Sequence, residues 1–577
     1  MASNVFSSLP TDGCRFNTPP PANIPVLIVG SGPSGLFTSY LLSKFGIRSA
    51  IIEKHATRLG QPKAHALNPR SIEILRQVGL DVSWLRSQGV PTEKAFWVRW
   101  ISGFGDVELG KMPYERQDEA VKDVTPEPLF NIAQPILEQF LENAALGSGL
   151  VSIHRRWLWE EVSFNSSGQV MSLVRSHKGT SGESLIICSE YLIGADGPDS
   201  TVRGKMDGVE FCQPTGLHTS KNFYRSIHCK ADLLSHGRDT DLESVLYFCS
   251  NPDHPAGIIS YGLNTSFVHV TIVPEAVDYT AEPMTEAQCL DIIRPCMPAV
   301  TVEPQSVTVW YTWPRIASSY TSNTEKITLV GDAAHSFPPQ GGLGVNTGIA
   351  DSHNLIWKLA VSMKAGMLSD GLLGTYTLER RPVAMANALQ SAKNERIGRD
   401  VNDEIYKIYH RAAKDGVTLA EFMSYDKVKE ETCQLLNRNK PHFDSLCLQL
   451  GYIYGQGDGT PPDDVSTYQP SSVPGARMPH AWLDNGKSTL DYVPYDSFAL
   501  FHRGLDLESP PPPTEYEILG ITTVDVEAMA FSQHWCDLVG IGIGKDALLV
   551  RPDQHILSHV SSMTEALEVI QRFYNYR

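Results

Sequence analysis

The run GSGPSG, which begins at Gly30, has the residue types and spacing of a loop that holds a phosphate group. It follows the apolar run VLIV and precedes a helix-like segment, and Glu53 ends the next strand-like run. Gly30 suits a tight turn, Gly32 lets backbone approach a pyrophosphate, and Gly35 lets the helix pack on the strand. The helix N-terminus offers free N–H groups, and Glu53 can accept ribose hydroxyls. The pattern predicts a dinucleotide site, and a plain strand–helix turn is the alternative.

Two more motifs follow apolar strand-like runs much later in the chain. GADGPDSTVR ends at Arg203, and GDAAHSFPPQGGLGVN contains Asp332. A single dinucleotide fold normally spans its ligand with consecutive strand–helix–strand units. Three distant segments therefore indicate one long ligand, and we predict FAD rather than NAD as the resident cofactor.

The overall composition excludes several classes of partner. A formal net charge of -17 repels nucleic acid, while 42% hydrophobic and 20% charged residues are ordinary for globular proteins. No run reaches the ~18 apolar residues of a membrane helix, and residues 1–25 lack the features of a signal peptide. The 10 cysteines are scattered, without a CxxC pair or a metal-type cluster. We therefore predict no metal, reduced thiols and a cytoplasmic location.

The elements that must position these motifs indicate an α/β protein with several domains. Strand-like runs such as SVLYFC and FVHVTIV indicate a β-rich second domain, and strands alternate with helices in the tail. The predicted boundaries are a mobile lead-in at 1–22, a discontinuous FAD-binding domain at 23–210 and 325–400, a β-rich substrate domain at 211–324, a helical and loop connection at 401–469, and a C-terminal domain at 470–577.

The three motifs, in this order, resemble the flavin-dependent aromatic hydroxylases of the para-hydroxybenzoate hydroxylase group, over about residues 24–400. The tail runs GARMPHAWL and ALLVRPDQHI are similar to the phenol hydroxylase branch. The resemblance implies a Rossmann-type FAD-binding domain with an inserted β-rich substrate domain, a C-terminal thioredoxin-like domain, and a homodimer. Without CxxC, the thioredoxin-like domain should be redox-silent.

The resemblance also implies which residues contact FAD. In the family the aspartate at Asp332 hydrogen-bonds the ribityl chain, Pro338 stiffens the loop, and the following glycines admit the flavin ring. The helix beginning near Val345 then places its positive end at the reduced flavin. Gln134 and Asp196 have plainer alternatives, as a polar helix residue and as a turn former. The implied cofactor-contacting set is Gly30, Gly32, Ser34, Gly35, Glu53, Lys54, Gln134, Asp196, Asp332, Pro338, Gly342, Gly344, Val345 and Asn346.

Fewer residues are assigned to the chemistry itself. His65 aligns with a position where phenol hydroxylase carries an acid near the substrate hydroxyl, and a histidine there could deprotonate a phenol. A buried structural histidine is the alternative. His335 is expected to be structural. Three aromatic residues are candidates to line the substrate pocket, although aromatic residues in a β domain are more often core: Tyr224, Tyr311 and Trp313.

The function implied by the resemblance is hydroxylation of a phenolic or polyketide-type aromatic compound. NADPH or NADH, docked transiently, would reduce FAD, and O2 would form a C4a-hydroperoxide that hydroxylates the ring. Oxidative dearomatisation, epoxidation or ring expansion by the same kind of enzyme remains open. So do a flavin dehydrogenase that inserts no oxygen and a flavin-bearing sensor or scaffold.

Overall fold

The computed structural model describes most of the chain. The described residues are 18–58, 60, 65–177, 182–214, 221–231, 243–261, 265–273, 284–298, 300–365, 371–504, 519–544 and 546–575. The expected mobile lead-in falls almost entirely outside this part of the chain. Within it, no helix is long and apolar enough to cross a membrane.

Strands and helices alternate along much of the chain, and the longest helices follow the third motif. The first part has β1 (Asn23–Val29), α1 (Pro33–Lys44), β2 (Ser49–Glu53), β3 (Ala66–Leu67), α2 (Pro69–Gln77), α3 (Val82–Ser87), α4 (Thr92–Ala95), β4 (Trp97–Ile101), β5 (Glu108–Pro113), β6 (Phe130–Asn131), α5 (Gln134–Gly147), β7 (Val151–Arg155), β8 (Trp157–Phe164), β9 (Val170–Ser176), β10 (Ser184–Gly194) and α6 (Thr201–Gly204). The middle has β11 (Phe211–Cys212), β12 (Asn222–Ala231), β13 (Leu246–Cys249), β14 (Ala256–Ser260), β15 (Ser266–Val273), α7 (Glu286–Ile293), β16 (Val302–Thr312), β17 (Arg315–Ala317), β18 (Ile327–Leu329), β19 (His335–Ser336), α8 (Leu343–Ala365) and α9 (Gly374–Asp415). The last part has α10 (Leu419–Met423), α11 (Asp426–Asn437), α12 (Lys440–Phe443), α13 (Leu446–Leu450), β20 (Phe498–His502), β21 (Ile521–Asp525), α14 (Gln533–Val539), β22 (Ala547–Val550), β23 (Ile556–Val560) and α15 (Met563–Tyr574).

The first sheet has the order β7-β2-β1-β10-β9-β8, and β18 pairs with β10. Strands β2, β1, β10 and β18 run parallel, so their carboxyl ends meet at one edge. Val29 pairs with both Ile52 and Gly194, and Gly194 pairs with Leu329. Each of the three sequence motifs follows one of these ends. Ligands bind at this edge in open parallel sheets, so the fold itself brings the motifs together.

Two glycines of the first motif are required by packing. Gly30 has φ +104, and a Cβ there would lie 2.3 Å from the Ala195 carbonyl oxygen. A Cβ on Gly35 would lie 2.1 Å from the Gly30 carbonyl oxygen. Both positions therefore exclude larger residues, because the turn and the start of α1 press against neighbouring backbone.

The second sheet has the order β16-β12-β15-β14-β13-β4-β5. Strands β4 and β5 come from within 23–210, the segment expected to be wholly FAD-binding, and they join through the parallel β13–β4 pair. The sheet therefore draws on two distant stretches of the chain. One face packs on α9, through Trp100 and Leu246 against Val401 and Ile405.

The C-terminal region forms a four-stranded sheet of order β21-β20-β22-β23 with α14 and α15. Strands β20 and β21 are parallel, and the remaining pairs are antiparallel. The α/β class expected from the sequence is confirmed. Buried ion pairs tie this region to the rest of the chain: Arg551 to Glu379 on α9, and Arg477 to Glu73 on α2.

Candidate active site

A cavity of about 1340 Å³ lies where the motif edge of the first sheet meets the second sheet. Residues of all three motifs line it, together with residues of β12, β15 and the helix α9. Cavities for one small ligand measure about 300–1,000 Å³. The space is therefore large enough for an extended cofactor and a second molecule beside it.

The loop of the first motif leaves room for a ligand at its central glycine. Gly32 lines the cavity, and a Cβ on it would meet no atom within 4 Å. Gly32 is also the N-cap of α1, and because it has no side chain it cannot cap the first N–H groups of the helix. The uncapped N-terminus of α1 thus faces open space, which is the arrangement that holds a phosphate. Ser34 lines the cavity too, whereas Gly35 does not.

Glu53 stands at the carboxyl end of β2 and lines the cavity. Its Oε2 accepts hydrogen bonds from the Ser31 N–H at 3.0 Å and the Ser31 hydroxyl at 2.9 Å. Its Oε1 accepts from the His55 N–H at 2.8 Å. The carboxylate therefore joins the phosphate loop to the end of β2. Lys54, the next residue, is exposed and also lines the cavity.

Asp196, in the second motif, closes the turn after β10. Its Oδ1 accepts from the Ser200 hydroxyl at 2.5 Å, and its Oδ2 accepts from the Thr201 N–H at 2.7 Å. It lines the cavity while capping α6, so it has the turn-forming role that was the plainer alternative. Arg203 donates to the Ala333 carbonyl oxygen at 2.8 Å and so links the second motif to the third.

The third motif presents a carboxylate and bare backbone to the cavity. Asp332 is exposed between two buried neighbours and lines the cavity. Gly341 and Gly342 have φ +112 and +62, conformations that favour glycine. Helix α8 then begins at Leu343. Besides Asp332, four expected contact residues of this motif line the cavity: Pro338, Gly342, Gly344 and Val345.

Asn346 lies behind the cavity wall rather than in it. Its Nδ2 donates to the Ala66 carbonyl oxygen at 3.0 Å, and its Oδ1 accepts from the Asn68 N–H at 2.9 Å. The side chain therefore fastens the first turn of α8 to the segment that carries His65. His335 is equally structural, since its Nε2 hydrogen-bonds the buried Asp351 carboxylate at 2.7 Å.

Gln134 is the first residue of α5 and lines the cavity. Its Nε2 donates to Glu138 Oε1 at 2.7 Å, one turn along the same helix. The amide is thus oriented from within α5, with its helix N-terminus directed at the same space.

His65 lines the cavity beside two residues that no sequence motif indicated. Its Nε2 lies 3.0 Å from the Tyr114 hydroxyl oxygen, and His442 lines the same part of the cavity. Burial lowers the pKa of His65 to about 4 and, with His65 as a neighbour, that of His442 to about 3. Burial also raises the pKa of Tyr114 well above its usual value. All three groups are therefore neutral at pH 7.

The wall around this pair is aromatic. The rings of Trp100 and Phe248 stack at 5.4 Å, and Phe443 packs edge-on to Trp100 at 5.8 Å. All three line the cavity. An aromatic wall next to a histidine and a tyrosine hydroxyl fits a ring that carries a hydroxyl group.

The three candidate substrate residues are placed differently. Tyr224 lines the cavity, stacks on Trp310 at 4.6 Å, and donates its hydroxyl to Glu395 at 2.7 Å. Tyr311 also lines the cavity and hydrogen-bonds Asp199. Trp313 does not line it.

The position of Trp313 follows from its neighbours. The guanidinium of Arg315 lies 4.2 Å from one of its ring centroids and the ammonium of Lys221 lies 5.1 Å away. Such cation–π contacts hold the ring among basic side chains outside the cavity. We therefore place Trp313 outside the substrate site expected from the sequence.

The described residues fit FAD at several separate points. An uncapped helix N-terminus faces open space at Gly32, a carboxylate stands exposed at Asp332, and a second helix begins at the cavity wall beside Gly342. These features fit, in turn, a phosphate, a polyol chain and a ring that gains negative charge. In the part of the chain that the structure describes, no group of acidic, histidine and cysteine side chains is arranged to hold a metal ion.

A family model described as an FAD binding domain matches residues 23–391. The chain is 30% identical over 502 residues to tetracenomycin B2 monooxygenase-dioxygenase of Streptomyces olivaceus, covering 83% of this chain and 84% of that one. It is 28% identical to phenol 2-monooxygenase of a Pseudomonas strain, covering 93% and 90%. A crystal structure of the flavin-dependent monooxygenase PieE with FAD and substrate superposes with a TM-score of 0.79 at 25% identity, covering 97% and 100%.

Proposed function

Because the chain belongs to the FAD-binding domain family of flavin-dependent aromatic hydroxylases, we propose that it hydroxylates a phenolic ring within a large, multi-ring aromatic molecule. The enzyme is an FAD-dependent monooxygenase. The single observation that carries the proposal is that one cavity of about 1340 Å³ is lined by all three FAD motifs, a His–Tyr pair and an aromatic wall.

When bound, FAD accepts electrons from NADPH or NADH and activates O2 for insertion of one oxygen atom. The residues proposed to hold it are those that line the cavity at the motif edge. The N-terminus of α1 at Gly32 would bind the pyrophosphate, Glu53 the adenosine ribose, and Asp332 the ribityl chain. The N-terminus of α8 would stabilise negative charge on the reduced ring.

A multi-ring substrate is supported by the width of the aromatic wall. Trp100, Phe248 and Phe443 are three mutually packed rings that all line the cavity. The three side chains carry more aromatic surface than a single phenol ring can contact. The relatives named for tetracenomycin B2 and for phenol do not decide between a multi-ring and a single-ring substrate. The aromatic wall is the feature of this chain that favours a multi-ring substrate.

His65 is proposed to accept the proton of the substrate hydroxyl, and Tyr114 is proposed to orient the imidazole through their hydrogen bond. Burial keeps His65 neutral, so it has a lone pair available at pH 7. A phenolate formed next to the ring would raise the pKa of His65 by charge pairing, and this favours transfer of the proton. An ionised phenol is the electron-rich form that ring hydroxylation requires, and the surrounding aromatic wall excludes water from it.

The test is anaerobic mixing of the FAD-loaded protein with NADPH, with and without phenols of one to four rings. Product mass is measured after O2 is admitted. We expect the yellow absorbance to bleach at least about ten-fold faster with a multi-ring phenol, and the product to gain one oxygen atom. Bleaching without added oxygen in the product would favour a flavin dehydrogenase. No acceleration by any phenol would overturn the proposal.

Three further expectations accompany the proposed function. The four-stranded C-terminal sheet with its two helices supports a thioredoxin-like domain that serves packing. A homodimer rests on the family resemblance. A cytoplasmic site of action is supported by the nine cysteines within the described residues, all of which are free thiols.

A further inference from the structure

A cluster of polar side chains lies on the face of the second sheet that packs on α7, opposite the face that packs on α9. Strand β12 presents Ile227 and Cys229 to α7, and β15 presents Phe267 to the same helix. Arg225 precedes Ile227 by two residues and His269 follows Phe267 by two, so both share this face. Thr271 pairs with Arg225 across the strands, and His269 pairs with Ile227. The three polar side chains are therefore adjacent.

These side chains carry buried polar atoms that lack hydrogen bonds. Among the described residues no partner reaches Nε of Arg225, Oγ1 of Thr271, or either ring nitrogen of His269. His269 is only 1% exposed. A buried polar atom without a partner destabilises the folded protein. Three neighbouring residues with this defect indicate a place prepared for a polar ligand rather than an error of packing.

The unsatisfied atoms themselves are covered by protein, but the residues that carry them reach the cavity. Arg225, His269 and Thr271 all line the cavity, whose wall continues onto this face of the sheet through Ala256 and Ile292. A ligand there would meet one guanidinium, one imidazole and one hydroxyl. Arginine is the side chain best suited to the planar oxygen pairs of carboxylate and phosphate.

The charges around the three residues are mixed. Burial, with a smaller contribution from Arg225, lowers the pKa of His269 to about 4, so the imidazole is neutral and can donate one N–H. Two carboxylates also line this part of the cavity, Asp253 and Asp291. Asp291 is 75% exposed and lies 3.8 Å from the Arg294 guanidinium, so it competes weakly for Arg225.

We propose that Arg225, His269 and Thr271 form an anion-binding subsite that takes a carboxylate or phosphate group. The inference rests on the proposed function, in which the cavity holds FAD and an aromatic molecule. Two sources could supply such a group: a phosphate of the nicotinamide reductant, or the carboxylate of an aromatic acid. The subsite would anchor that ligand on the side of the sheet away from His65.

The first experiment measures calorimetric binding of inorganic pyrophosphate to the FAD-loaded full chain at fixed ionic strength. We expect R225Q and H269F to weaken binding about ten-fold or more. K230Q is the matched control, because Lys230 lies exposed on the same strand and its replacement removes the same positive charge. It should bind within about two-fold of wild type. Equal binding by all variants, or no binding by wild type, would overturn the subsite and leave water as its occupant.

Two further titrations identify the source. NADP⁺ is compared with NAD⁺, and 2-naphthoate with the uncharged 2-naphthol, in wild type and R225Q. Arg225-dependent binding of either the nicotinamide or the carboxylate supports the subsite and names the ligand. If R225Q fails to retain FAD, R225K replaces it; with the charge kept but the fork lost, it should weaken pyrophosphate about three-fold or more.

The same preparations separate this inference from the proposed function. Yellow protein that hydroxylates a phenol but binds no anion through Arg225 overturns the subsite alone. Protein that binds pyrophosphate through Arg225 but yields no hydroxylated product overturns the proposed function alone.

Discussion

At the residue scale, the contact between His65 and Tyr114 is the centre of the proposed chemistry. The 3.0 Å separation of Nε2 and the hydroxyl oxygen lets the two groups share a proton, and their burial keeps both neutral. A neutral histidine in such a place acts only when a substrate hydroxyl approaches it. The proposed role therefore depends on how acidic that hydroxyl is.

The first prediction follows from this dependence. H65Q keeps a hydrogen-bonding group near Tyr114 but cannot take up a proton. We expect kcat for a weakly acidic phenol to fall roughly 10²-fold, since general base catalysis contributes about that much. A nitrophenol already ionised at the assay pH should lose less than about three-fold. Stopped-flow product analysis compares the two, and an equal loss for both substrates would show that His65 is not the base.

At the element scale, the turn between β1 and α1 separates packing from binding within one motif. Gly30 is pressed against Ala195, whereas nothing lies within 4 Å of the Cβ position of Gly32. Two glycines of identical chemistry thus have different reasons to be glycine. The first is required by the fold, and the second is proposed to be required by the ligand.

The second prediction uses these glycines as a matched pair. G30A should destabilise the protein by about 3 kcal/mol or more, because it adds a clash with backbone to a strained positive φ. G32A should leave the urea midpoint of the apoprotein nearly unchanged but weaken FAD binding about ten-fold or more. Flavin fluorescence quenching measures the affinity. Normal FAD binding by G32A would contradict the assigned pyrophosphate position.

At the scale of the whole molecule, buried charges join the C-terminal region to the FAD-binding region. The Arg477 Nε donates to Glu73 Oε2 at 2.9 Å, and Arg70 reaches the same oxygen at 3.1 Å. Burial alone would raise the pKa of Glu73, but Arg477 holds it below its usual value. Such a pair is costly to break, because the remaining charge stays buried.

The third prediction compares this pair with an exposed one. R477M should lower the free energy of unfolding by about 3 kcal/mol, the lower end of the usual cost of breaking a buried ion pair, because Arg70 still contacts Glu73. R411M removes the partner of Glu431 in a pair whose side chains are 43% and 46% exposed, and it should cost less than about 1 kcal/mol. Urea denaturation of the FAD-loaded proteins measures both. Equal costs would mean that the C-terminal contact is not a stabilising one.

The fourth prediction concerns pH. Burial lowers the pKa of His269, His480 and His555 to about 4, from the 6.5 of an unfolded histidine. Between pH 6.5 and 4 the unfolded chain therefore binds more protons, and stability falls as the pH falls. Each group contributes up to about 3 kcal/mol. Glu115 acts oppositely, since burial raises its pKa to about 8 and its contribution is lost as the pH rises.

Several buried histidines lower the stability as the pH falls, and Glu115 alone does not offset their combined effect. The urea midpoint should therefore be lower at pH 5.0 than at pH 7.0. An unchanged or higher midpoint at pH 5.0 would contradict the predicted histidine environments. The difference should shrink in a variant that replaces one of these histidines with a residue that does not titrate.

Features that depend on neighbours along the chain could be predicted from the residues alone. The glycine motif could be recognised because the residues of a phosphate loop are close in sequence: Gly30, Gly32 and Gly35. The α/β class could be predicted from the alternation of strands and helices. The order of three motifs indicated FAD because each follows its own apolar strand. Their convergence was predictable, since parallel strands end at one edge of a sheet.

Contacts between side chains that are distant along the chain followed from the three-dimensional fold alone. Tyr114, in the loop after β5, contacts His65, and His442 belongs to α12. Neither Tyr114 nor His442 is part of a sequence motif. Strands β4 and β5 join the second sheet, Asn346 turns away from the cavity, and Trp313 lies among basic side chains. Arg225, His269 and Thr271 likewise share a face only through strand register. Such contacts are set by packing between elements, which residue spacing along one chain does not encode.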